Sequence, residues 1–165
     1  MTMTRDQGRT ATLSSRQCRR LAQRLPLPQP WSVEQLCAQV AASRGRPLEI
    51  FDHRMTRDSV TAATLATDTT DYISWRADLR GLHRDHAICH ELGHLLAGHA
   101  GAFEFVTPTL EPGTVAFHRD CDYSAAQERQ AEMMADIIMG RVVQHLTPPE
   151  SSARSVLRGF DDALR

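Results

Sequence analysis

Two histidines four residues apart, with a glutamate directly after the first, are the residues of this chain best placed to do chemistry. They are His90-Glu91-Leu92-Gly93-His94. On an α-helix, residues four apart lie one turn apart on the same face, about 6 Å along the axis. Two imidazoles so placed converge on one metal ion, and Glu91 stands beside it, where it takes a proton from water. A site of this kind needs a third ligand from elsewhere in the chain.

Two nearby histidines fail that test. His86, His90 and His94 form an i, i+4, i+8 stripe, but three ligands on one straight helix span about 12 Å, too far for bonds near 2.1 Å. His99 fails on the same ground. A metzincin places its third histidine six residues after the second, and Ala100 stands there.

The histidine pair requires a helix. Ile88, Leu92, Leu95, Leu96 and His99 recur at helical spacing, no proline lies between Asp85 and Gly101, and Gly98 and Gly101 end the run. Around it the chain alternates between helix and strand signals. Ser14-x-x-Gln17 starts a helix from about Ser15 to Leu25, and Ser32-x-x-Gln35 starts a second to about Ser43. Pro26, Pro28 and Pro30 force an extended link between them, too long for the tight turn of a helix-turn-helix. Leu48–Asp52, Val60–Ala66 and Tyr72–Trp75 read as strands, with a hairpin turn at Asp68–Asp71. These three predict a small, mostly antiparallel sheet in an α+β fold.

Residues 102–122 form a long link with Pro108, Pro112 and Gly113, either a lid or a connection anchored by its phenylalanines. Ser124-x-x-Gln127 then caps a helix from Ala125 to about His145. Glu128, Ala131, Glu132 and Ala135 share one of its faces, and the small alanines permit a close helix–helix approach. Acidic residues on a face lined by alanine are unusual for a purely solvated surface. Thr147-Pro148-Pro149-Glu150 starts a last helix.

The chain has 165 residues, enough for one domain with a core; we assign residues 1–12 to a disordered tail and 13–165 to the domain. No apolar run approaches the roughly 18 residues of a membrane span, and the polar N-terminus lacks a signal-peptide core, so a cytoplasmic location is expected. Residues 1–46 carry eight arginines against two acids, a net of +6; residues 47–165 carry eleven against eighteen, a net of −7. The basic part is expected to pack against the acidic remainder or to be solvated, and direct nucleic-acid binding is not expected. Cys18, Cys37, Cys89 and Cys121 form no C-x-x-C pair and read as buried, inert thiols.

Taken together, His90-Glu91-Leu92-Gly93-His94-Leu95-Leu96-Ala97-Gly98-His99 and Glu128-Arg129-Gln130-Ala131-Glu132-Met133-Met134-Ala135 resemble the ImmA/IrrE family of zinc metallopeptidases. The resemblance covers roughly residues 15–145. It departs from the family where Ile138-Met139-Gly140-Arg141 replaces a Leu-Leu-Met-Pro-like run. It implies a zincin-like fold and one Zn²⁺, with His90, His94 and Glu128 as metal ligands and Glu91 as the catalytic base. Glu132 becomes an orienting group; a register shifted by one turn makes Glu132 the ligand and Asp136 the orienter. Tyr123 and His118 are considered as oxyanion helpers. The implied activity is cleavage of a regulatory protein, a helix-turn-helix repressor. The alternative is a metal-containing module that binds a repressor or antitoxin without cutting it.

Overall fold

The computed structural model describes residues 12–53, 61–67, 69–99 and 123–147. Among these the chain forms α1 (Ser15–Arg24), α2 (Val33–Arg44), β1 (Leu48–His53), β2 (Ala62–Ala66), β3 (Asp71–Arg76), α3 (Gly81–Ala97) and α4 (Ala125–Leu146). This is an α+β arrangement, with each element within a few residues of its sequence expectation. The expected tail, apart from Thr12, lies outside the described residues. So do the 102–122 link, Cys121, His118 and the last helix. Among the described residues, no helix is long and apolar enough to cross a membrane.

Local chemistry starts and stops the helices. The Ser14 hydroxyl accepts from the Gln17 N–H while the Gln17 side chain accepts from the Ser14 N–H. Ser124 and Gln127 repeat this reciprocal pair at α4. The box expected at Ser32 is half formed: its hydroxyl accepts from Gln35 N–H but donates to Glu34. α2 and α3 end on Gly45 and Gly98, both left-handed, at φ 62° and 70°. At the end of α1, the Ala22 and Leu25 carbonyls accept from Arg141 Nη1 of α4, both at 2.8 Å. Those are orphan acceptors of a helix end, satisfied here across the fold.

The sheet corrects one expectation. It is mixed rather than mostly antiparallel, in the order β1-β3-β2. β2 and β3 form the expected antiparallel hairpin, with Ala62 opposite Trp75 and Ala66 opposite Asp71. Its turn is closed by Thr67, whose N–H and hydroxyl both donate to the Thr70 carbonyl. β1, however, pairs with β3 in parallel, Leu48 opposite Asp71 through His53 opposite Arg76. A meander would have been antiparallel throughout; here β2 lies beyond β3, so the first and third strands, which run the same way, become neighbours. β3, at the centre, carries the buried Asp71, Ile73 and Ser74.

Asp71, 1% exposed, is held by Arg44 through Nε and Nη2 (3.2 and 3.0 Å) and by Arg46 through Nη2 (3.2 Å). Arg44 Nη1 also donates to the Leu95 carbonyl near the end of α3, at 2.9 Å. One buried carboxylate thus joins α2, the sheet and the motif helix. The apolar core lies between α1, α2, α3, α4 and the sheet, built on Cys18, Leu36, Val40, Ile73, Ile88, Leu92, Met134 and Ile138.

α3 and α4 pack at unusually short range. A Cβ on Gly93 would stand 3.0 Å from the Ala131 Cα, 3.0 Å from its carbonyl oxygen and 3.3 Å from its Cβ. The face of small residues anticipated on α4 therefore meets the one helical position of the motif that has no side chain. Gly140, also within a helix, has nothing within 4 Å of such a Cβ.

The two glycines should respond oppositely to alanine. Gly140→Ala should stabilise the protein by up to about 1 kcal/mol through helix propensity. Gly93→Ala should destabilise it by on the order of 1 kcal/mol, because overpacking of about 1–3 kcal/mol exceeds the same propensity gain. Urea unfolding of both variants beside wild type measures this; equal stabilisation by both would contradict the close contact.

Candidate metal centre

His90 and His94 leave α3 one turn apart, and Glu128 reaches them from the first turn of α4, brought there by the Gly93–Ala131 contact. The two Nε2 atoms are 3.1 Å apart. Glu128 Oε2 lies 3.2 Å from His90 Nε2, and its Oε1 lies 3.6 Å from His94 Nε2. Four donors placed tetrahedrally at bonds near 2.0–2.1 Å stand about 3.3 Å from one another. The observed separations match that edge length, so these residues fit a metal ion of zinc's size and ligand preference. His86 lies outside the group, as its position along the helix required.

His90 Nδ1 is 3.0 Å from Glu132 Oε2. A carboxylate only accepts, so this ring donates from Nδ1, and in the neutral ring that places the Nε2 lone pair towards Glu128 and His94. Burial, helped by the neighbouring His90 and His99 rings, pushes the His94 pKa down to about 3. His94 is therefore neutral near pH 7, the form that ligates a metal. Two lone pairs and a carboxylate converging on one point suit a cation.

Glu132 occupies the orienting place rather than the ligand place. The alternative register, with Asp136 as orienter, does not describe this geometry: Asp136 Oδ1 is 3.3 Å from His86 Nε2 instead. Glu132 Oε1 lies 3.7 Å from the same His86 nitrogen. His86, Glu132 and Asp136 are close enough to hold a cation on paper, but both acids are more than half exposed and read as a surface ion-pair group.

Glu91 lies beside the donors and is buried, 7% exposed. The Thr64 hydroxyl of β2 donates to its Oε2 at 2.6 Å. Burial raises the Glu91 pKa above the ordinary carboxylate range, while the Thr64 hydrogen bond and the nearby His90 pull it back. The direction suits a general base working closer to neutral pH. Tyr123, just before α4, stacks on His94 with ring centroids 3.7 Å apart and planes 24° from parallel.

These groups line one cleft of about 670 Å³, bounded by Thr61 and the first residues of β2 (Ala62, Ala63 and Thr64) and by His90, Glu128 and Tyr123. Cys18, Cys37 and Cys89 are buried free thiols away from it, and burial raises all three pKa values, Cys37 to about 12. None is a thiolate near neutral pH.

The structure brings together His90, His94, Glu128 and Glu91, which the sequence singles out, and adds Thr64, which it does not; His99, set aside as a ligand, stands behind His94 with its Nδ1 3.1 Å from His94 Nδ1. Thr64 carries no local signal, being one of several threonines in a strand. No family model, curated protein or solved structure matches the chain.

Metal analysis of purified protein should find one ion per chain in wild type and little in Glu128→Ala. Glu132→Ala should keep the ion with affinity lower by about 10–100-fold, the usual consequence of removing a group that orients a ligand. Loss confined to Glu132→Ala would move the ligand by one helical turn.

Proposed function

We propose that this chain is a zinc-dependent metalloendopeptidase of the ImmA/IrrE type, with a zincin-like fold. It acts in the cytoplasm on a regulatory protein, a helix-turn-helix repressor. The observation that carries the reading is the convergence of His90, His94 and Glu128 in an open cleft that also holds the buried Glu91. A centre serving structure alone has no use for a buried carboxylate held ready beside the ligands.

His90, His94 and Glu128 would hold the zinc ion. When bound, zinc supplies Lewis acidity, lowering the pKa of water towards about 7 and polarising a carbonyl. Glu91 accepts the proton of the attacking water as its oxygen bonds to the peptide carbonyl carbon. The C–N bond then breaks, and Glu91 delivers the proton to the departing amine. Thr64 keeps the Glu91 carboxylate from turning away between these two steps.

β2 supports a peptide substrate. Among the described residues it is an edge strand, paired with β3 alone, and Thr61–Thr64 line the cleft. An edge strand offers unpaired N–H and C=O groups to an extended chain, which would lay a scissile bond across the donors. The choice of a repressor as substrate rests on the sequence resemblance.

Glu91→Gln should retain one zinc ion per chain and lose cleavage of the repressor, read by gel and mass spectrometry of the fragments. Cleavage retained in that variant would overturn Glu91 as the base. Intact repressor bound equally by wild type and variant would favour a non-cleaving module.

The pH profile offers a finer test. Glu91 must be ionised to act, so cleavage should fall as pH drops through its raised pKa. Thr64→Val removes a hydrogen bond that favours the charged form, so the pKa rises further. The acid limb of kcat/KM should therefore move to higher pH in Thr64→Val, and an unmoved limb would show that Thr64 does not support Glu91.

A further inference from the structure

Behind His94 runs a chain of hydrogen bonds that leads out of the centre to the N-terminal segment. His94 Nδ1 faces His99 Nδ1 at 3.1 Å. His99 Nε2 faces Gln130 Oε1 at 2.8 Å. Gln130 Nε2 donates to the Ser15 hydroxyl at 3.0 Å and to the Leu13 carbonyl at 3.4 Å. Leu13 N–H in turn donates to the Ala97 carbonyl at 2.9 Å, and the Thr12 hydroxyl to the Gly98 carbonyl at 3.4 Å. His99 is itself buried, 9% exposed.

The chain has one direction. A carbonyl can only accept, so Leu13 makes Gln130 present its NH₂ to the N-terminal segment and its oxygen to His99. That oxygen also only accepts, so His99 carries its proton on Nε2. Its Nδ1 is then an acceptor, and His94 must donate from its own Nδ1. The Nε2 lone pair of His94 is left facing His90 and Glu128. Reversing any one link would put a proton on His94 Nε2, where a ligand cannot carry one.

The two ligands are thus oriented differently. His90 leans on the half-exposed carboxylate of Glu132, whereas His94 leans on the imidazole of His99, whose tautomer is set by Gln130 and Leu13.

We infer that His99 and Gln130 are positioning residues of the metal centre, locking His94 in its ligating tautomer against an anchor supplied by Leu13. The inference rests on the reading of His90, His94 and Glu128 as metal ligands. The Leu13–Ser15 segment, docked on the end of α3 and on Gln130, becomes part of the centre's support.

Zinc affinity of the full chain, measured by competition with a chromophoric chelator, tests this without reference to activity. His99→Leu keeps an apolar bulk but removes the acceptor. His99→Asn restores an acceptor near the Nδ1 position. Gln130→Leu removes the acceptor that sets His99, at a partly buried site. Circular dichroism and the melting temperature of each metal-free variant report folding separately. Glu128→Ala controls for the underlying reading.

His99→Leu and Gln130→Leu should bind zinc about 10–100-fold more weakly than wild type, with His99→Asn recovering most of the loss. Folded Leu variants that bind within twofold of wild type, while Glu128→Ala loses the metal, would overturn the inference and leave the centre standing. Weak binding in all His99 variants with no recovery in His99→Asn, and Gln130→Leu like wild type, would reduce His99 to packing and likewise overturn it. If His99→Leu does not fold, Gln130→Leu and His99→Asn decide alone. Wild type that binds no zinc, or Glu128→Ala that binds as wild type does, would remove the underlying reading itself.

Discussion

The contact between Gly93 and the backbone of Ala131 is the constraint on which the rest depends. A Cβ on Gly93 would stand 3.0 Å from the Ala131 backbone, closer than ordinary van der Waals contact. Close packing turns that into a positional rule, since interiors at this density transmit displacements of a few tenths of an ångström rather than absorb them. Glu128 and Glu132 lie on either side of Ala131 on α4, and His90 and His94 on either side of Gly93 on α3. The distances from His90 to Glu128 and Glu132 therefore follow from one backbone approach. A wider crossing would carry both acids away from the imidazoles together.

The site is also an arrangement of polarity. Each imidazole has one nitrogen in the donor cluster and one engaged behind it, and the group behind decides where the proton sits. For His90 that group is a carboxylate on the same helix as Glu128. For His94 it is a ring just beyond the end of its own helix. The left-handed Gly98 makes the second arrangement possible: it turns the chain sharply, so His99 doubles back beside His94, its N–H donating to the His94 carbonyl.

The remaining elements hold this frame from outside. Asp71 gathers Arg44 and Arg46 and, through Arg44, reaches the carbonyl of Leu95. The indole N–H of Trp31 donates to Asp85 at 2.8 Å, tying the proline-rich link to the start of the motif helix. Arg141 closes the end of α1 from α4. Each joins segments far apart in sequence by a charged group on a helix end or a buried acid. Breaking one partner of such a pair leaves the other uncompensated. Arg44 and Arg46, from the basic part expected to pack against the acidic remainder or to be solvated, serve here as cross-links.

By itself the sequence determined whatever acts over a turn or two: the capping boxes at Ser14 and Ser124, the glycine stops, the His90–His94 pair and the hairpin before α3. Those signals work within about four residues, where spacing alone places side chains. The tertiary structure decided what spacing leaves open. Glu128 and Glu132 are one turn apart on the same face, and only the crossing of α4 over α3 assigned one to the donors and the other to a ring nitrogen. The sheet expected to be mostly antiparallel is mixed because β1 pairs with β3 rather than with β2, a strand order that strand identity leaves open. Thr64, His99 and Gln130 gained their places through partners 27, 5 and up to 117 residues away. Hydrogen bonds between distant segments exist only once packing has brought their ends together, so no local pattern could announce them.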